Sequence, residues 1–258
     1  MLCILFCFGI LFSSHAQDVG EVVGESVTVK EWEFKLFLNT SGGGIGFSRG
    51  RTPNHFNKHF WEIDFLYNMH PKSVRVQHSD MGSYCYGKMV DLFFLRGGYG
   101  YQRVLHHKPY WGGVQVRYTL SGGFALGMGL PVVLKILVPD NFGGYSIEDQ
   151  QYDPDNEYHT INYILKRAGF FNGIAHTKIR PGFYVKTGFH FDFSQNSRTI
   201  HAVETGMSLD MVFPYIQQMA FNKAKPFYLC AYAGYHFGKK QGLYRKVDLQ
   251  NRLSSRQF

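Results

Sequence analysis

Eight runs along the chain alternate apolar and polar residues with a period of two, the signature of strands with one apolar face. In the run at 59–68, Trp61, Ile63, Phe65 and Tyr67 fall on one face, and Glu62 and Asp64 fall on the other. In 177–193, Phe183, Val185, Thr187, Phe189, Phe191 and Phe193 oppose Lys186, Gly188, His190 and Asp192. In 113–137, Val114, Val116, Tyr118 and Leu120 oppose Gln115, Arg117, Thr119 and Ser121, and Gly122-Gly123 predicts a kink. In 199–213, Val203, Met207, Leu209, Met211 and Phe213 oppose Glu204, Gly206, Ser208 and Asp210. The run 226–237 gathers Phe227, Leu229, Ala231, Ala233, Tyr235 and Phe237 on one side. The runs 27–38, 44–51 and 88–105 complete the set. In 88–105, Asp91 and Arg96 have opposite parity, which predicts a bulge beside Gly97-Gly98 that resets the register.

After the first hairpin the connections alternate in size. Those at 52–58, 106–112 and 194–198 are tight, and those at 69–87, 138–176 and 214–225 are long. An even number of strands with this rhythm predicts an all-β, eight-stranded antiparallel barrel. A soluble, lipocalin-like barrel shares the strand count. The faces separate the two. In a soluble barrel a dozen or more Phe and Tyr rings would have to fill the interior, and eight strands enclose a space only just wide enough for ordinary side chains. Reversing the faces resolves the crowding. Rings such as Trp61, Phe65, Phe183, Tyr235 and Phe237 then face lipid, and the charges face the lumen. This predicts a transmembrane barrel with short periplasmic turns and longer extracellular loops. Its lumen network comprises Glu62, Asp64, Asp91, Arg117, Lys186, His190, Asp192, Glu204 and Asp210. Pairing is required there, because a buried unpaired charge is costly; Arg117, Lys186 and Arg103 are the available partners.

Composition sharpens this picture. The chain has 258 residues, 17% of them aromatic and only 18% charged, with 29 glycines. Average chains carry about 25% charged residues; many aromatics and glycines with few charges suit closed sheets. No stretch is long and apolar enough for a membrane helix, so a membrane role requires a closed barrel. Residues 1–16, with the apolar run Leu2 to Phe12 and Ser14-His15-Ala16, read as a signal peptide lacking a basic start. That divides the chain into a signal (1–16), a periplasmic segment (17–26), a barrel (27–238) and a basic tail (239–258). Cys3 and Cys7 leave with the signal, and Cys85 and Cys230 are read as free thiols. The formal net charge of +8 comes with no stacking platform or recognition motif, so nucleic acid is not expected as a partner.

Candidate chemistry is sparse. The lumen carboxylates read as a salt-bridged plug, with a proton or ion path as the alternative. His190, Asp192 and Ser208 could be drawn as a hydrolytic triad, but no G-x-S-x-G context supports one. The histidines show no zinc-site spacing; His106-His107 sits in a turn. Glu148 to Glu157 is acidic but lacks the EF-hand pattern and reads as a solvated loop. No cofactor and no metal are expected. Ile161, Ile164, Leu165 and Ala168 recur at helical spacing and are followed by Phe170 and Phe171, which predicts a short amphipathic helix at the barrel mouth. These residues are candidate partner contacts, as are Lys239, Lys240, Arg245 and Lys246 of the tail, which could meet anionic lipid or a periplasmic protein.

The phrases LNTSGGGIGFSRGRTPNHFNKHFWEIDFLYNMHPK, YCYGKMVDLFFLRGGYGYQRVL, GGVQVRYTLSGGFALGMGLPVVLKIL and AGFFNGIAHTKIRPGFYVKTGFHFDF together resemble a family of small outer-membrane barrels from Bacteroidota. The resemblance spans roughly residues 30 to 240. It implies an integral outer-membrane protein of a Gram-negative bacterium with no known catalytic activity. Some small barrels of that phylum are accessory subunits of larger machines, including the barrel-assembly complex. The leading expectation is therefore a non-enzymatic subunit in contact with lipid and with outer-membrane or periplasmic proteins. The rivals are a surface-exposed binding or adhesion barrel using loops 69–87 and 138–176, and a barrel enzyme or narrow transporter using the lumen carboxylates.

Overall fold

The computed structural model describes residues 28–243, apart from residues 55, 79–81, 108–112, 140–143, 155, 162 and 195–197. The predicted signal, the segment 17–26 and the tail beyond 243 lie outside the described residues. In chain order the strands are β1 (Thr28–Asn39), β2 (Gly42–Asn54), β3 (Asn57–Asn68), β4 (Arg75–His78), β5 (Gly82–Cys85), β6 (Val90–His106), β7 (Gln115–Pro131), β8 (Val133–Pro139), β9 (Tyr145–Gln151), β10 (Ile164–Arg167), β11 (Lys178–Asp192), β12 (Thr199–Val212) and β13 (Phe227–Leu243).

Eight of them close an antiparallel barrel in the order β1-β2-β3-β6-β7-β11-β12-β13, with β13 returning to β1. The closing seam is continuous from Thr28↔Leu243 to Asn39↔Tyr232. Strict alternation sends Trp61, Ile63 and Phe65 outward, with Trp61 69% exposed, and sends Glu62 and Asp64 inward, 2% and 1% exposed. The start of β1, the end of β13 and the strand ends that flank the β2-β3, β6-β7 and β11-β12 connections lie at one end, here called the lower. The turn Thr40-Ser41 and the connections 69–89, 132–177 and 213–226 lie at the upper end.

Two features of the wall differ from the expectations. Neither glycine pair interrupts its ladder: Gly97 and Gly98 pair with Phe124 and Gly123 in unbroken register, and β7 stays paired on both sides through Gly122-Gly123. The glycines serve close approach instead. A Cβ added at Gly98 would lie 2.4 Å from the Tyr184 hydroxyl, and one at Gly100 would lie 2.2 Å from the Phe60 ring. Large inward side chains thus lie over bare backbone, as a narrow lumen requires. The register shift in β6 falls lower down, between Val104 and His106.

The run 113–137 divides. β7 ends at Pro131, which has no N–H to donate to a ladder. β8 then leaves the barrel and forms a separate sheet in the order β10-β8-β9, beside the hairpin β4-β5. Tyr84, Val132, Leu134, Ile136, Tyr152 and Ile164 form a core of their own in this cap. Burial there pushes the Tyr152 hydroxyl up to about 12. The helix expected around 161–168 is a strand: Ile164, Lys166 and Arg167 pair with β8, and Ile164 is 1% exposed in the cap core. Edge pairing and burial override the helical spacing. The helical turn falls just after it, as a 3-10 helix at Phe170–His176.

Candidate functional site

Two layers fill the lumen. At the upper end Phe37, Leu66, Leu92, Phe94, Val212 and Ile216 form an apolar plug. Below it lies a continuous ionic network. Glu62 on β3 accepts hydrogen bonds from Lys35 on β1, from Lys186 Nζ at 3.0 Å and from the Tyr184 hydroxyl at 3.0 Å. Asp64, one pleat above, stands 3.9 Å from Lys35 and 3.7 Å from Lys186. Lys186 also reaches Glu204 at 3.5 Å, and Glu204 accepts from the Tyr232 hydroxyl at 2.8 Å. Arg96 on β6 grips Asp210 on β12 with two parallel N–H bonds, the strong bidentate geometry of a guanidinium on a carboxylate.

The network continues toward the lower end. Glu33 accepts from Lys58 and lies 3.1 Å from His236 Nδ1. Lys58 reaches Glu31 at 2.7 Å, and Arg117 reaches Glu31 at 3.5 Å. Asp192 closes the lower end against Lys240 at 2.8 Å and the Ser194 hydroxyl at 2.5 Å. Rings shield the cations: Lys35 sits over Phe60, Lys186 over Tyr232 and Arg96 over Tyr184, each within 6 Å of the ring centre. Every lumen carboxylate among the described residues thus has a cation within 4.0 Å. Such mutual pairing offsets a desolvation penalty of several kcal/mol for each ion.

The void beside Lys35, Asp64, Arg96, Lys186 and Glu204 measures only about 10 Å³, about the space of one water. The hydrolytic arrangement is not assembled. Asp192 is held by Lys240 and Ser194, and neither His190's ring nitrogens nor the Ser208 hydroxyl makes a hydrogen bond. Glu33, His190 and His236 bring three potential metal ligands within 4.8 Å of one another. Sequence spacing could not reveal that set, because the residues come from β1, β11 and β13. Both oxygens of Glu33 are already engaged, one by Lys58 and one by His236.

Most predicted lumen residues come together: Glu62, Asp64, Arg117, Lys186, His190, Asp192, Glu204 and Asp210 are all buried inside. The pairings differ in part. Arg117 meets Glu31 rather than Glu62 or Asp64, and Arg103 points outward and is exposed. Asp91 is a correction. It has the outward parity of Phe93 and Leu95 and lies at the upper rim, bonded to Lys88 at 2.5 Å, Arg167 at 2.5 Å and the Tyr67 hydroxyl at 3.1 Å. Burial draws the Lys88 ammonium down, but the Asp91 carboxylate and the Tyr67 hydroxyl hold it above its usual value. Sequence reasoning missed Glu31, Glu33, Lys35, Lys58, Arg96 and His236. The alternation in VTVKEWEFKLFL puts the first three on one face, which was a usable signal.

Of the outward set, Trp61, Ile63, Phe65, Phe183, Phe189, Phe193, Tyr235 and Phe237 are exposed on the wall, and Tyr67 and Phe191 are half-buried. Among the candidate contacts, Ile161 and Phe170 are exposed, Leu165 is half-buried and Ile164 is withdrawn into the cap core. The Phe171 side chain, Arg245 and Lys246 lie outside what is described. Lys239 and Lys240 belong to β13 rather than to a tail; Lys239 is exposed, and Lys240 turns inward to Asp192. Cys85 and Cys230 are free thiols.

No protein-family model and no curated protein matches the chain. Among solved structures the chain is similar to Ail, the attachment invasion locus protein of Yersinia pestis, in complex with the heparin analogue sucrose octasulfate. That match has 7% identity, covers 84% of this chain and 100% of that one, and has a TM-score of 0.39. It is also similar to Neisserial surface protein A, at 10% identity, 85% and 98% coverage and a TM-score of 0.34. A third match is the N-terminal β-barrel domain of Pseudomonas aeruginosa OprF, at 10% identity, 82% and 97% coverage and a TM-score of 0.35.

Proposed function

We propose that the chain is an integral barrel of a Gram-negative outer membrane, exported by its N-terminal signal. In this reading it is a non-enzymatic structural or accessory subunit of a larger outer-membrane assembly, such as the barrel-assembly machinery of Bacteroidota. The inverted wall carries the reading. Large apolar side chains stand exposed around the barrel while carboxylates and ammonium groups are sealed inside. In water such a wall would be an apolar patch far beyond what soluble monomers expose; in lipid it is the expected outer face of a closed sheet.

The filled lumen supports a role without transport or catalysis. The void beside Lys35 and Lys186 is about 10 Å³, the acids are neutralised by cations, and the upper end is stoppered by Phe37, Leu66, Leu92 and Phe94. Function is then left to the wall, the cap and the two ends. Gentle detergent extraction followed by mass analysis of co-purifying proteins tests the subunit reading. A stoichiometric partner that survives washing is the expected result, and a barrel that runs alone overturns it.

A second reading, a surface barrel that binds a ligand or host molecule, is favoured by one observation. The upper connections form a folded cap, and Tyr145, Ile147, Phe170 and Ile174 are exposed on it. Exchanging 69–87 and 138–176 for short turns while keeping the barrel separates the readings: loss of surface binding supports the second, and loss of the co-purifying partner alone supports the first.

A further inference from the structure

The outer wall is not uniformly apolar. Outward parity gives it five cations, Lys30, Arg49, Arg51, Arg103 and Lys239, and all five lie near the lower ends of their strands. They occupy one sector, β13-β1-β2-β3-β6, and the described outward positions of β7, β11 and β12 carry no lysine or arginine. The same wall has a single carboxylate among the described barrel residues, Asp91 at the opposite rim. None of the five cations forms an ion pair with a described carboxylate. Inside the barrel, by contrast, every lysine and arginine of the network is paired.

The register brings these cations together with aromatic rings. One line across the strands reads Lys239, Trp32, Arg49, Trp61, Tyr99, and the next line below reads Lys30, Arg51, His59, Tyr101. Trp61 packs edge-on against Tyr99 at 5.2 Å, and His59 Nδ1 lies 2.6 Å from the Tyr99 hydroxyl. Lys30, Arg49, Arg51, His59, Trp61 and Tyr99 line a surface recess of about 420 Å³. Directly above, on the same strands, the wall turns apolar through Phe34, Phe47, Ile45, Ile63 and Phe65.

We infer that this recess is a one-sided binding site for the phosphate of an anionic glycerophospholipid, with Lys30, Arg49 and Arg51 on the headgroup and the apolar wall above them along the acyl chains. The inference rests on the membrane reading given above. The chemistry fits each part. Unpaired cations on a wall without carboxylates need an anion at the level of the membrane surface. Amphipathic rings mark that level, and a guanidinium pair matches phosphate oxygens. An acidic protein would satisfy the cations but not the apolar strip continuous with them, whereas a phospholipid satisfies both.

The test uses the full mature chain in detergent micelles titrated with equal amounts of phosphatidylglycerol and phosphatidylcholine, with retained lipid counted by native mass spectrometry. The expected result is preferential retention of phosphatidylglycerol that falls roughly 5-fold for each cation removed in Lys30→Gln, Arg49→Gln and Arg51→Gln, singly and combined. Lys166→Gln on the cap leaves retention unchanged. Because the triple variant could fold poorly, the wild-type chain is also measured at about 1 M salt, where screening abolishes the preference. A parallel measurement keeps Trp61 as the only tryptophan (Trp32→Phe, Trp111→Phe) and follows its quenching by brominated acyl chains in phosphatidylcholine vesicles. Quenching without any preference for phosphatidylglycerol overturns the site and leaves the membrane reading standing. Absence of quenching overturns both. Retention insensitive to Arg49 and Arg51 also overturns the site.

Discussion

Two ion clusters in this barrel use the same chemistry in different surroundings. In the lumen, Glu62 stands between Lys35 and Lys186, all three side chains nearly inaccessible. At the upper rim, Asp91 stands between Lys88 and Arg167, and the Arg167 side chain is 30% exposed. Geometry alone makes the two look equivalent. Their energetic weight differs, because at the rim the Arg167 side chain reaches water, whereas in the lumen none of the three side chains does. Strength here follows enclosure more than distance.

The largest effect is expected from Glu62→Gln, which removes the charged acceptor shared by Lys35, Lys186 and Tyr184 and leaves Lys35 only Asp64 at 3.9 Å. It should cost about 3–5 kcal/mol in urea unfolding of the barrel in lipid vesicles, and the double replacement Arg96→Leu with Asp210→Leu should cost much less than Arg96→Leu alone. Next comes Gly100→Ala, which drives a methyl group into the Phe60 ring; about 1–3 kcal/mol of overpacking should appear as a lower transition in the heat-modifiability gel assay. Asp91→Asn should cost about 1–2 kcal/mol in the same unfolding experiment, and a loss equal to that of Glu62→Gln would break the comparison. The smallest effect is expected at the cap, where Lys135 and Asp149 are 3.6 Å apart and both well exposed; Lys135→Ala should shift stability by about 0–1 kcal/mol.

The same contrast marks how much could be read without coordinates. Strand number, closure and the inward face of β3, β11 and β12 follow from parity, because a period of two survives any register. Parity does not say where along a strand the barrel stops. Asp91 therefore reads as a lumen charge, although it is an outward residue just above the belt. Pro131 carries the information that β7 ends, but the apolar run VVLKIL beyond it looks like more barrel. Ile164 has helical neighbours in sequence and a strand partner in space, and only the edge of β8 decides between them. The upper plug was legible in part: Leu66, Leu92 and Phe94 share the inward parity, but nothing in a single strand says that they meet Phe37 and Val212 across the lumen.

The seam between β1 and β13 joins the first and last of the described barrel strands. Until β13 arrives, β1 and β12 both present open edges, and the hydrogen bonds of a whole strand on each side are unmet. Closure of the cylinder therefore waits for the last of these strands. The ribosome supplies the sealing element after all the others, so the nascent polypeptide has to be kept from aggregating until then, and a deletion of β13 should abolish the product rather than trim it.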